Sequence, residues 1–157
     1  GLRLWRLNTD CGVISVGKNA TIDITATAGS TTGANAANSN SSVSGITLNE
    51  ISDNAGNITV GGKADITLTS SGGNALSSTD TATTVSRVSG IYVNQAASTV
   101  SIGDALDVNS TVTGGIATST NTSASTDIFA TGVFVDTNGG TVTIADNVTF
   151  TNTTAGG

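Results

Sequence analysis

The chain has 157 residues, of which 10% are charged and 3% are aromatic, and its eleven acidic and five basic residues give a formal net charge of −6 at pH 7. Because nucleic acids and anionic membranes bind basic surfaces, this balance excludes the electrostatic footprint of a nucleic-acid partner. No apolar run approaches the roughly 20 residues of a membrane-spanning helix, and the absence of His excludes His-based catalytic triads and the usual zinc sites.

One phrase of alternating apolar and polar residues occurs four times along the chain. Its copies begin at Gly1, Gly45, Gly90 and Gly132, which gives a period of 42–45 residues. A strand-rich repeat of this length is typical of a solenoid, in which each unit buries its apolar face only by stacking on its neighbours. We therefore predict a single solenoid domain over residues 1–157, with repeats 1–44, 45–89, 90–131 and an incomplete repeat 132–157.

Each copy contains three runs in which apolar residues recur at every second position, the period of a strand. The first run directs inward Leu2 and Leu4, Ile46 and Leu48, Ile91 and Val93, and Val133 and Val135. The second directs inward Ile14 and Val16, Ile58 and Val60, Val100 and Ile102, and Val142 and Ile144. The third directs inward Ala20, Ile22 and Ile24, then Ala64, Ile66 and Leu68, then Leu106 and Val108, and finally Val148 and Phe150.

The connections between runs differ in length and composition. Short turns rich in Gly and Asp, residue types that tolerate positive φ, separate the second run from the third. Long returns rich in Ser, Thr and Asn follow the third run at about residues 29–42, 70–84 and 114–126. Because these returns vary in sequence, we predict that they are loops outside the stack.

Stacking equivalent runs in the same direction predicts an all-β fold with three parallel sheets. Parallel crossover connections are right-handed in nearly all proteins, so the predicted fold is a right-handed parallel β-helix of about three and a half rungs. An antiparallel β-sandwich is the alternative, but it would not produce collinear copies in the same phase.

The outward positions of the runs form predicted ladders across the rungs. One ladder joins Arg3 and Thr47 to the aromatic residues Tyr92 and Phe134. On the third run, Asp65 and Asp107 are the candidate metal ligands, although two carboxylates fall far short of the six oxygen ligands that calcium prefers. No metal site is therefore predicted, and we expect these carboxylates to repel one another unless a cation or solvent screens them.

Thr-x-Thr pairs on the third run suggest a different use of the same surface. They occur at Thr67 and Thr69, at Thr111 and Thr113, and at Thr149 and Thr151. Regular hydroxyl arrays of this kind are typical of ice-binding solenoids, so ice binding is an alternative function. Outward Thr is also what β-propensity alone predicts.

The inventory of chemically reactive residues points away from catalysis. The chain has one Glu and one Cys, and its Asp residues form no cluster of the kind that glycosidases use. We predict no catalytic residue and no cofactor. Glycan processing by a β-helix similar to a phage tailspike is the remaining enzymatic alternative.

The chain's two ends expose ladder edges in this interpretation, and an unpaired edge is a template for further strands. We expect self-association through Leu2, Leu4, Trp5, Val148 and Phe150, either head-to-tail between copies or onto neighbouring repeats. The start at Gly1 and the absence of Met indicate a processed piece of a longer protein. Cys11 is the single cysteine and is interpreted as a turn residue, with an intermolecular disulfide as the alternative.

The phrases GIYVNQAASTVSIGDALDV and GVFVDTNGGTVTIADNVTFTNTTAGG resemble passenger repeats of bacterial autotransporter adhesins. The resemblance implies a right-handed β-helix that is exported through an outer-membrane barrel and serves adhesion, aggregation or biofilm formation. It also implies an extracellular or bacterial cell-surface location, with a host or glycan surface as a candidate partner. The chain departs from a complete member because it shows no signal peptide and no barrel. The predicted function is therefore that of a non-catalytic structural or adhesive surface fibre.

Overall fold

A computed structural model describes residues 1–6, 12–50, 56–94, 98–136 and 139–156, without the side chains of Trp5, Arg6 and Glu50. Cys11 lies outside these ranges. The described residues contain no helix. Their fifteen strands are β1 (Leu2–Arg6), β2 (Val13–Val16), β3 (Ala20–Thr27), β4 (Thr31–Gly33), β5 (Ala37–Glu50), β6 (Asn57–Val60), β7 (Ala64–Ser71), β8 (Ala75–Ser77), β9 (Ala82–Asn94), β10 (Thr99–Ile102), β11 (Leu106–Thr113), β12 (Ala117–Ser119), β13 (Ala124–Val135), β14 (Thr141–Ile144) and β15 (Val148–Ala155).

The strands form four sheets, and within each sheet every strand pairs in parallel with its counterpart one repeat away. Sheet A has the order β1-β5-β9-β13, sheet B β14-β10-β6-β2, sheet C β15-β11-β7-β3 and sheet D β12-β8-β4. All strand pairs of the described chain are parallel. The predicted solenoid-like arrangement of parallel sheets is thus confirmed, and the antiparallel sandwich is wrong.

The long returns are part of the stack, so their prediction as external loops is wrong, and the described chain forms four parallel sheets where three were predicted. Residues 31–33, 75–77 and 117–119 form the three strands of sheet D, and the following residues begin the long strands of sheet A. Ala37, Ala75 and Ala82 pack together there and are 0–1% exposed. The alternation in these segments uses Ala, Ser and Thr, which give almost no hydropathy contrast between the two faces of a strand.

The main core lies between sheet A, sheet B and sheet C. Predicted inward residues of the two middle repeats are almost completely buried, and Ile58, Val60, Leu68 and Val100 have no exposed surface. Removing such side chains from water is worth roughly 1.5–3 kcal/mol each. In the last repeat Val133, Val135, Val148 and Phe150 are exposed and Val142 and Ile144 are only partly buried, because β13, β14 and β15 have a neighbouring strand on one side only.

A glycine changes the phase of each long strand in sheet A. In β9, the buried positions before the glycine are Ser86 and Val88 and those after it are Ile91 and Val93. The inward alternation therefore shifts by one residue at Gly90. A Cβ at Gly90 would lie 2.6 Å from Val108 Cγ2 and 2.5 Å from the Gly132 carbonyl oxygen. Glycine is therefore required at the start of the repeat for lack of space.

Hydroxyl groups fill the narrow part of the interior between sheet A and the corner that joins sheets C and D. Ser39, Ser86 and Thr84 are buried, and their hydroxyls donate to the backbone carbonyls of Gly29 (2.9 Å), Thr113 (2.9 Å) and Gly115 (3.1 Å), respectively. Every buried side-chain nitrogen or oxygen of the described residues has a hydrogen-bond partner. The polar interior thus avoids the cost of desolvating unpaired groups.

Substituting the phase-changing glycine tests this packing. We expect Gly90→Ala to lower the free energy of unfolding by about 1–3 kcal/mol, because the added methyl overpacks the core. Gly29→Ala is the matched control, since nothing lies within 4 Å of a Cβ at that position. Urea denaturation followed by circular dichroism measures both, and equal stability of the two variants would contradict the steric argument.

Candidate interaction surfaces

The outer face of sheet A carries a ladder of large side chains. Register places Arg3, Thr47, Tyr92 and Phe134 in one column, in the order that the repeat predicts. The rings of Tyr92 and Phe134 stack with centroids 5.5 Å apart and planes within 5° of parallel. Such aromatic pairs contribute about 0.5–1.5 kcal/mol beyond their buried area.

A second column on the same face pairs a cation with an aromatic ring. The Arg87 guanidinium lies 4.8 Å from the ring centroid of Phe129, within the range of a cation–π interaction. The two residues are register partners in adjacent strands. This pair was not predicted from the sequence, although Arg87 and Phe129 lie one repeat apart along the chain.

Polar groups border the aromatic column at the end of the strands. The Tyr92 hydroxyl donates to Asp136 Oδ2 at 3.1 Å. Partial burial, together with this bond to a carboxylate, raises the pKa of Tyr92. Its neighbour Asn94 donates to the Asn49 side-chain oxygen over a long 3.5 Å contact.

An open groove lies between the two columns of large side chains. Its floor includes the neighbouring small residues Ser44 and Ser89, and Val43 and Ile24 also line it. Groove walls include Arg87 on one side and Tyr92 on the other, and the groove volume is about 560 Å³. Arg3 and Thr47 extend the lining toward the first repeat.

The outer face of sheet C brings Asp65 and Asp107 together, as the repeat predicts. Lys63 lies between them, and its Nζ is 2.7 Å from Asp65 Oδ1 and 2.5 Å from Asp107 Oδ2. The chain's own ammonium group thus screens the repulsion that was expected between the carboxylates. Lys63 was not predicted as part of this cluster, because it belongs to the turn before β7.

Hydrogen bonds in this cluster shift the pKa values of two groups. Bonds to Asp107 and then to Asp65 raise the pKa of Lys63. Bonds from Lys63 and then from Thr149 lower the pKa of Asp107. No three His, Cys, Asp or Glu side chains of the described residues are placed to hold a metal ion.

Register places the outward threonines of sheet C in columns, as the repeat spacing predicts. Thr67 lies in one column with Asp23, Asn109 and Thr151, and Thr149 lies beside Asp107. The three Thr-x-Thr pairs are offset between strands, so that Thr69 lies beside Thr111 whereas Thr67 lies beside Asn109. An uninterrupted threonine column does occur one position further along, at Thr25, Thr69, Thr111 and Thr153.

Residues predicted for self-association lie on the outermost rungs. Val148 is 53% exposed and Phe150 is 40% exposed, although they share columns with the buried Leu106 and Val108. At the other end, Leu2 and Leu4 pack against the main core and are partly buried. The side chain of Trp5 lies outside the described part of the structure.

Comparison with protein families, with curated proteins and with solved structures finds no match to this chain. In the ranges that the structure describes, no helix is long and apolar enough to cross a membrane.

The Lys63 cluster gives a pH-dependent prediction. Because the Asp107 pKa is lowered, its stabilisation is present above the ordinary Asp pKa of about 3.9 and is lost as the pH falls through the lowered value. Because the pKa of Lys63 is raised, its stabilising contribution is fully present below the ordinary Lys pKa of about 10.4 and is lost as the pH rises through the raised value. We therefore expect Lys63→Met to lower the melting temperature at pH 7, and the difference from the unsubstituted chain to shrink below about pH 4.

Lys18→Met is the matched control for lost charge, since Lys18 is exposed in the turn before β3. Thermal melts at several pH values provide the comparison, and added salt should reduce the effect of Lys63→Met. A melting-temperature difference independent of pH would show that Lys63 acts through packing and not through charge.

Proposed function

We propose that this chain is a non-catalytic structural and adhesive segment of an extracellular surface solenoid, as the resemblance to autotransporter passengers implies. The observation that carries this proposal is the in-register column of apolar side chains that continues from the core to the last repeat. A stack of this kind lengthens by adding rungs. The rungs coil as a right-handed β-helix, which the strong handedness of parallel crossovers supports.

The exposed apolar side chains of the last repeat are the proposed contact for the next rung. Val148 and Phe150 extend the columns of Leu106 and Val108, and Leu2 and Leu4 offer apolar side chains at the opposite end. A second copy stacked head-to-tail, or a neighbouring repeat of a longer chain, covers this surface. Backbone hydrogen bonds across the new junction follow the strand-addition mode of recognition.

The outer faces supply adhesion in this proposal. Sheet A presents stacked rings and arginine, and sheet C presents hydroxyl columns. Low charge content and abundant Thr and Asn suit an extracellular or bacterial cell-surface location, where a host or glycan surface is the partner. No cofactor is assigned.

Self-association is tested by sedimentation velocity and electron microscopy across a range of protein concentrations. We expect concentration-dependent assembly into filaments, and we expect Phe150→Lys to weaken it at least tenfold, because burying a Phe contributes roughly 1.5–3 kcal/mol. Thr149→Lys is the matched control on the outward side of the same strand. A monodisperse monomer at high concentration would contradict head-to-tail stacking.

Ice binding is a second candidate function, which the uninterrupted column Thr25, Thr69, Thr111 and Thr153 supports. Equivalent hydroxyls in such a column repeat at about the 4.8 Å strand spacing, which produces a flat, regular surface. If the column binds ice, thermal hysteresis will be measurable in the unsubstituted chain and Thr111→Lys will abolish it. Thr59→Lys on sheet B is the control, and hysteresis that is absent from the start refutes this candidate.

A further inference from the structure

Two of the chain's five cationic residues line the groove on sheet A, although the protein as a whole is acidic. Arg87 is exposed and packed against Phe129. Arg3 is exposed and lies two rungs from Tyr92 in the same column, about 10 Å along the stack. Positive charge is thus distributed along the groove.

The other lining groups can form neutral hydrogen bonds and aromatic contacts. Ser44 and Ser89 provide hydroxyls at the floor, and Thr47 adds another on the Tyr92 side. Tyr92, whose ring stacks on Phe134, presents an aromatic ring at the wall. A ligand that fits this lining carries anionic groups at intervals, together with many hydroxyls and an apolar ring face.

We propose that the groove between the Arg87 and Tyr92 columns binds an acidic polysaccharide whose sugar residues carry carboxylates. Guanidinium groups pair with carboxylates through two parallel hydrogen bonds, and the serine floor accepts the sugar hydroxyls. The proposal rests on the proposed adhesive function and gives it a ligand class. A linear chain lies along the stack and meets the side chains of successive rungs.

Charge complementarity favours a carboxylated glycan over a nucleic acid. Nucleic-acid binding draws on several phosphate contacts by Lys and Arg, whereas the groove lining has Arg3 and Arg87 within a chain of net charge −6. A glycan adds hydroxyl contacts that do not depend on cations. Binding of single-stranded DNA is therefore an outcome that would overturn the proposal.

Isothermal titration calorimetry with a galacturonic acid oligosaccharide tests the ligand class. We expect binding to this probe and none to a neutral glucose oligosaccharide of the same length or to an oligothymidylate of matched charge. Absence of binding to the uronate, or equal binding to either of the other two probes, would overturn the proposal.

Two variants locate the site by different means. Arg87→Gln removes a charge and Ser89→Trp fills the groove without changing charge, and each should weaken uronate binding about tenfold. Lys18→Gln and Thr111→Trp make the same chemical changes on other faces and should leave affinity within about twofold. Equal losses in the controls would place binding elsewhere.

Failure of the glycan proposal would not by itself contradict the proposed structural function. If uronate does not bind but the chain still assembles in sedimentation, then the groove assignment is wrong and the solenoid proposal is retained. If uronate binds a monomeric chain that never assembles, then head-to-tail stacking is wrong and the groove assignment holds.

Discussion

Parallel pairing in register is the constraint on which the rest of this structure depends. Backbone hydrogen bonds join each strand to its counterpart in the next repeat, so each side chain lies about 4.8 Å from the one at the equivalent position. Like residues therefore meet like residues. This arrangement favours apolar columns and the Tyr92–Phe134 stack, but it penalises identical charges. Lys63 between Asp65 and Asp107 shows how one neighbouring cation relieves that penalty.

The interior has two parts with different chemistry. Where sheet A faces sheet B and the first half of sheet C, Val, Ile and Leu fill the space. Near the corner that leads to sheet D, the space is narrow, and Ala and Ser replace them. Backbone carbonyls at that corner, such as those of Gly29 and Gly115, accept hydrogen bonds from side chains of sheet A. A serine-rich strand is thus suited to the inside of the protein at this point.

The repeat predicted the parallel sheets and the inward positions because Val, Ile and Leu alternate clearly with polar residues. It could not reveal sheet D, because the buried Ala75 and Ser77 flank the exposed and more apolar Leu76, which reverses the usual hydropathy contrast between inward and outward residues. Outward side chains also differed in how far the spacing could predict them. Columns such as Thr47, Tyr92 and Phe134 were predictable from spacing alone. The contact of Lys63 with two carboxylates depends on how a turn directs one side chain, which no repeat period specifies.

The glycines that begin the repeats divide each long strand of sheet A into two segments of opposite phase. Before Gly45 the buried residues include Ser41 and Val43, and after it they include Ile46 and Leu48. The first segment faces the serine-lined corner, and the second faces the aliphatic core. A one-residue insertion or deletion at such a glycine would exchange inside and outside in one segment alone. The inward residues of one segment can therefore change without altering the phase of the other segment.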